Sequence, residues 1–332
     1  MRPRHERGAP GCRRAQCPRR NRSSCFHRAI HPVPCETRGM VAPRSEMVSV
    51  RAGLDLHCVF WGENAASDAR PFVLVHGLAS NARLWDGVAR HLSEMGHPVV
   101  AIDQRGHGRS TKPDDGFDMV TVAHDLELLI AALGLERPVV AGQSWGANVV
   151  VELAYRSPAS VCGVVAVDGG TIHLRRHYPD WGDCAAQLAP PHLLGMAASR
   201  LESAMRSGHP DWPEEGIAGS LANMEVLADG TIRPWLSRDR HMKILRGLWE
   251  HDPESLFPDI EVPVLFMPAV ADDDQHVRGW AADKRQAVER ALRLLRRGGV
   301  SWYRGADHDL HAQHPLRVAQ ELNAETQGGL FS

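Results

Sequence analysis

Apolar positions in this chain fall into short unbroken runs, and between the runs they recur at helical spacing. RPFVLVHG at 70–77, HPVVAID at 97–103, RPVVAG at 137–142, VCGVVAVD at 161–168 and VPVLFMP at 262–268 are the clearest runs. A run that is apolar throughout predicts a strand covered on both faces. Between the first two, Leu84, Val88, His91, Leu92 and Met95 return every three or four positions. That spacing predicts a helix over 81–95, stopped at Gly96. The same reasoning predicts helices over 120–133, ahead of Gly134, and over 147–156, stopped by Ser157-Pro158. Residues 48–51 and 54–60 read as a hairpin, with Leu54, Leu56 and Cys58 alternating on one face of the second arm. Near the end, helices over 280–297 and 316–323 flank a strand at 300–303.

Apolar strands alternating with helices argue for a mostly parallel, doubly wound α/β sheet. The alternation breaks over 171–252, a Pro-rich stretch of helix-like pieces with no clear strand and with Trp181, Trp212, Trp235 and Trp249. Because the pattern resumes afterwards, 47–170 and 253–332 read as one core and 171–252 as an insertion into it. No internal repeat is visible.

Composition changes this picture only at the N-terminus. The chain is 332 residues long and 43% hydrophobic, ordinary for a globular protein. Its net charge of −2 is unevenly spread, for the first 46 residues alone carry 11 Arg against 3 Glu. That segment also holds Cys12, Cys17, Cys25 and Cys35 and almost no aliphatic run, so it reads as a disordered tail. No apolar stretch follows its arginine pairs, which argues against a secretory signal, and its cysteine spacing fits no common zinc site. The other cysteines, 58, 162 and 184, lie in apolar contexts and read as buried thiols in a reducing cytoplasm. The longest apolar runs fall short of a membrane span. The mildly acidic body gives no reason to expect nucleic acid as a partner.

The candidate chemistry gathers around Gly142-Gln143-Ser144-Trp145-Gly146, between a predicted strand and a predicted helix. Ligands of an open α/β sheet lie beyond the carboxyl ends of its strands, where Ser144 falls. Glycines two positions to either side permit a turn tight enough to strain the serine and expose its hydroxyl. The helix that follows aims its positive end there, and Trp145 N–H becomes one donor of an oxyanion hole. A serine needs a base, and a histidine is the usual choice. Among 19 histidines, His308 follows the last strand on the same edge. His311 and His314 are its neighbours, but Gly305 and two aspartates argue for a loop rather than a metal-binding helix.

With these residues stand LVHGLASNARLW at 74–85, DQRGHGRS at 103–110 and GADHDLHAQHP at 305–315. Together they resemble the α/β-hydrolase superfamily over about 48–325. The resemblance implies an α/β-hydrolase fold with a helical cap at 171–252, His308 as the base, and Leu78 N–H as the second oxyanion donor. An acid between Ser144 and His308 completes a triad in the order Ser, Asp, His. The resemblance puts that acid at Asp272, with Asp274 next. The match departs from the family pattern at Ala269, where a glycine is usual, and three consecutive aspartates leave the register open. Asp168, at the end of strand 161–167, is a further candidate acid, read first as a turn residue before Gly169-Gly170. His76, Asp103, Arg105 and His107 read as loop supports.

The expectation is a serine hydrolase that cleaves a carboxylic ester or related acyl compound, with no cofactor and no metal. Its partner is a small, apolar acyl or aryl substrate. The same triad would serve a carbon–carbon bond hydrolase or a cofactor-free perhydrolase. A non-catalytic, ligand-binding member of the fold is the alternative of another class.

Overall fold

A β-hairpin comes first among the described residues. Strand β1 (Arg44–Arg51) turns at Ala52-Gly53 and pairs antiparallel with β2 (Leu54–Trp61), with Gly53 at φ 76°. The computed structural model describes residues 42–62, 69–270 and 280–332, with side chains from 283 in the last segment. Residues 42–332 form one compact unit. Most of the expected tail lies outside the described residues, but its last residues already belong to β1. Asp272 and Asp274 lie outside them too.

Six further strands extend the sheet: β3 (Phe72–Val75), β4 (Val99–Ile102), β5 (Val139–Gln143), β6 (Gly163–Val167), β7 (Val264–Met267) and β8 (Gly298–Val300). Their spatial order is β1-β2-β4-β3-β5-β6-β7-β8, and every pairing from β4 onward is parallel. The main helices are α1 (Asp86–Glu94), α2 (Met119–Ala132), α3 (Trp145–Arg156), α8 (Trp280–Leu294) and α9 (Pro315–Gln327). Strand side chains alternate between faces, so one apolar run feeds two cores. Val73, Val75, Val140 and Phe266 pack with Val122, Leu126, Val149 and Ala291 from α2, α3 and α8. Phe72, Leu74, Val139 and Leu265 pack on the other face with Val88, Leu92, Val318 and Leu322 from α1 and α9. Apolar strands of this kind are the signature of a sheet covered on both sides.

Boundaries shift where local chemistry differs from periodicity. Asn81 caps a 3₁₀ turn (Ala82–Trp85) before α1 begins, so the helix read as one piece has two parts. The predicted strand at 300–303 ends at Val300, and Tyr303–Arg304 pairs separately with Ala269–Val270. Between β6 and β7 lie one helical turn (Leu174–His177), then α4 (Trp181–Leu188), α5 (Ala198–Gly208), α6 (Glu214–Leu221) and α7 (Arg238–Glu250). This stretch is not wholly free of strands, as the sequence suggested. Met224–Val226 and Ile232–Pro234 form a small hairpin, too short for an alternation to register. β6 and β7 pair directly, so the helical segment leaves and re-enters the sheet between neighbouring strands.

Candidate active site

Ser144 occupies the single residue between β5 and α3, at φ 53° and ψ −119°. A non-glycine residue with such a backbone stores about 1–3 kcal/mol, which the surroundings must hold in place. They do so through Ser144 N–H, which donates to Val167 O at 2.9 Å, and through Ser144 O, which accepts from Ala147 N–H at 3.0 Å. The flanking glycines are required by space. A Cβ at Gly142 would meet the Gly146 carbonyl, and one at Gly146 would meet the His76 carbonyl. Both obstacles are backbone, which cannot swing aside.

Sheet register brings the next group in. Gln143 of β5 lies opposite Val167 of β6, so Ser144 and Asp168 leave adjacent strand ends together. Asp168 also has positive φ, 41°. Its Oδ2 accepts from His308 Nδ1 at 2.6 Å, while Oδ1 accepts from Ala269 N–H at 2.9 Å and from Lys284 Nζ at 2.6 Å. The Asp168 side chain is 2% exposed and that of His308 is 55% exposed, so a buried carboxylate holds an open imidazole. Gln143 Nε2 donates to the His308 carbonyl at 3.2 Å, tying the histidine loop to the residue before Ser144.

The charges follow this arrangement. Burial alone would raise the Asp168 pKa, but the His308 bond and the Lys284 charge outweigh it and hold it below the usual carboxylate range. For His308, the part of the ring shielded from water favours the neutral form, yet the Asp168 bond and charge, with Asp309, carry its pKa upward. The carboxylate bonded to His308 is thus Asp168, which the sequence reading ranked behind Asp272 and Asp274. The physical reason lies at Ala269. Its N–H and carbonyl are engaged by Asp168 and Lys284, so the end of β7 supports the acid of β6.

The segment after β3 carries Leu78, half-buried against the core, and is braced by two buried histidines. His76 donates from Nδ1 to Gly77 O at 2.7 Å and accepts at Nε2 from Gln104 N–H at 3.0 Å. His107 donates from Nδ1 to Arg105 O at 3.1 Å and accepts at Nε2 from Ala79 N–H at 3.3 Å. Burial pulls both pKa values down, so each ring stays neutral in one tautomer. Asp103 accepts from His57, Ala82 N–H and Arg109 N–H. Burial would raise its pKa, but these bonds hold it at about 2. Arg105 forms a buried, two-pronged pair with Asp125. All four residues work through backbone and loop geometry, as supports.

The two other histidines of the H-x-x-H-x-x-H run point elsewhere. His311 is buried against Trp85, ring centroids 4.3 Å apart, and burial lowers its pKa to about 3. His314 stacks near Tyr303 at the start of α9. Among the described residues, no cluster of His, Cys, Asp and Glu is placed to hold a metal ion.

A cavity of 780 Å³ lies beside the Leu78 loop, lined by Ala79, Ser80, Leu188, Leu193, Trp235 and His241 among others. Its size and mostly apolar wall suit a small organic ligand. Burial, aided by Arg238, takes His241 down to about 4, so it presents a neutral ring. Of the tryptophans in 171–252, only Trp235 lines this cavity. Trp181 and Trp249 pack edge to face at 5.9 Å, and Trp212 donates from Nε1 to Asp307 at 2.9 Å. Asp307 also accepts from His209 at 3.0 Å, which fastens the helical segment to the residue before His308.

Three contributors carried no sequence signal. Asn148, on α3, accepts from Gly170 N–H and donates to Ile172 O, so the helix that follows Ser144 holds the chain just past Asp168. Gln143 reads as a filler within the glycine–serine motif. Lys284 is one basic residue in a basic helix, and only its contact distinguishes it.

An eight-stranded, mostly parallel sheet with a strained serine at one strand end and a histidine–carboxylate pair beside it defines the α/β-hydrolase class. The chain belongs to the α/β-hydrolase fold family, whose pattern it matches over residues 70–210. It is 34% identical over 288 residues to a bifunctional esterase/perhydrolase of Acinetobacter calcoaceticus, covering 84% of this chain and 96% of that protein. It is 26% identical to a non-heme chloroperoxidase of Streptomyces lividans, over 80% of this chain and 95% of that one. In fold it is similar to the crystal structure of E-2-(acetamidomethylene)succinate hydrolase, with a TM-score of 0.69 and 23% identity, covering 85% of this chain and 98% of the other. Among the described residues, no helix is long and apolar enough to cross a membrane.

Proposed function

We propose that this protein is a serine hydrolase of carboxylic esters or related acyl compounds, with Ser144, His308 and Asp168 as its triad and residues 171–252 as a helical cap. The observation that carries the reading is the 2.6 Å bond between His308 and buried Asp168, formed on strand ends next to a strained Ser144. In the first step Ser144 Oγ attacks the carbonyl carbon and its proton passes to His308 Nε2. Asp168, ionised and bonded to Nδ1, fixes the tautomer and stabilises the imidazolium. Negative charge on the carbonyl oxygen is met by Leu78 N–H and Trp145 N–H, and by the amino end of α3. His308 then protonates the leaving alcohol as the carbon–oxygen bond breaks. A water, deprotonated by the same nitrogen, hydrolyses the acyl-enzyme and restores Ser144.

A second reading, perhydrolysis, is favoured by the name of the Acinetobacter relative. Hydrogen peroxide would replace water in deacylation and release a peracid from the same acyl-enzyme. A panel of p-nitrophenyl esters of rising chain length, with and without hydrogen peroxide, tests both. Hydrolysis that disappears in Ser144→Ala, with the fold retained, is the expected result. Turnover that survives Ser144→Ala would sink the mechanism. No turnover in the wild type, and no covalent labelling of Ser144 by a fluorophosphonate, would favour a non-catalytic binder.

A further inference from the structure

Lys284 stands on α8, away from the motifs that define the site, yet its ammonium lies on the triad's proposed acid. Nζ is 2.6 Å from Asp168 Oδ1 and 3.0 Å from the Ala269 carbonyl. Asp168 therefore has its two oxygens divided between two nitrogen donors, with Oδ1 toward Lys284 and Oδ2 toward His308. We propose that Lys284 is a positioning residue, clamping Oδ1 of Asp168 so that Oδ2 is presented squarely to His308 Nδ1.

Three observations support this beyond the distances. The carboxylate is buried while the lysine is 30% exposed, so the cation reaches inward to an anion that water does not screen. The same ammonium holds the end of β7 through Ala269, where Asp168 also takes its backbone bond, so one side chain joins both strand ends behind the acid. Asp168 is in the left-handed region, and a strained residue stays in place only when its surroundings over-determine it.

The clamp has an electrostatic consequence. The Lys284 charge favours the Asp168 carboxylate and opposes the His308 imidazolium. Other groups act on the same pair. Asp309 favours the imidazolium, and the neutral ring of His311 lies nearby. Asp307 is engaged by His209, just past α5, and Asp283, beside Lys284, pairs with His177 at 3.7 Å. Lys284 is the cation in contact with Asp168 from α8, so removing it leaves the imidazolium bound to a less compensated carboxylate.

This inference rests on the triad reading, and the experiment separates the two. In the full chain, kcat and kcat/KM for a p-nitrophenyl ester are followed against pH in Lys284→Met, Lys284→Gln, Lys284→Arg, Asp168→Asn and Asp272→Asn. Lys284→Met and Lys284→Gln are expected to lose roughly ten-fold or more in kcat with KM within about two-fold. The midpoint of their acid limb should rise by roughly 0.5–1 in pH, because the imidazolium is no longer opposed. Lys284→Arg should keep the limb and most of the rate. An unmoved limb in the folded Met and Gln variants overturns the clamp, whatever their kcat, provided Asp168→Asn is inactive. An active Asp168→Asn beside an inactive Asp272→Asn overturns the triad reading instead.

Discussion

At the scale of the residue, the account turns on which carboxylate orients His308. Asp168→Asn should lower kcat by roughly 10³–10⁴-fold with the fold intact, because an amide cannot both hold the tautomer and stabilise the imidazolium. Asp272→Asn should stay within a few-fold of wild type, and parallel kinetics on the two variants check this. The pH profile follows from the same pair. His308 must be neutral to accept a proton, and its pKa is raised by Asp168. Activity should therefore fall as pH drops, with the acid limb of kcat/KM centred above about 6.5, the ordinary histidine value. Loss of the Asp168 charge should move that limb down, opposite to the shift expected for Lys284→Met. The strand–turn–helix setting of Ser144 and the place of His308 after the last strand were legible from motif and position. Asp168 was only half legible, since a carboxylate before two glycines carries the same spelling as a turn. The departure at Ala269 was the one available hint, and its meaning depended on a backbone bond that no sequence displays.

At the scale of the element, the turn at Ser144 and the contact of the helical segment with the His308 loop matter most. Gly146→Ala pushes a methyl group into the His76 carbonyl, and neither backbone can yield without disturbing β3 or α3. It should cost about 3 kcal/mol or more, or abolish soluble folded protein, as a thermal melt would register. Asp307→Ala removes the acceptor shared by His209 and Trp212, leaving a buried indole N–H without its partner. Each orphaned polar group costs about 1–3 kcal/mol, so the melt should fall by several degrees. Faster amide exchange over 305–309 would trace the loosening to the His308 loop. The sheet strands and their helices could be read from periodicity because burial on both faces imposes it. The hairpin within 171–252 could not be read, because strands of three residues contain no full alternation.

At the scale of the whole molecule, sheet order does the assembling. Ser144, Asp168 and His308 are far apart in sequence, and a parallel sheet gathers them by bringing the carboxyl ends of its strands to one edge. The helical segment between β6 and β7 supplies most of the 780 Å³ cavity beside that edge. A fluorophosphonate that becomes covalently attached to an activated serine tests this assembly most directly, read by mass spectrometry as rate and site of labelling. The wild type should take up one label on Ser144, with a rate that rises with pH through the His308 limb and falls by orders of magnitude in His308→Ala and Asp168→Asn. A wild-type chain left unlabelled at Ser144, or labelled there equally fast without His308, would contradict the account.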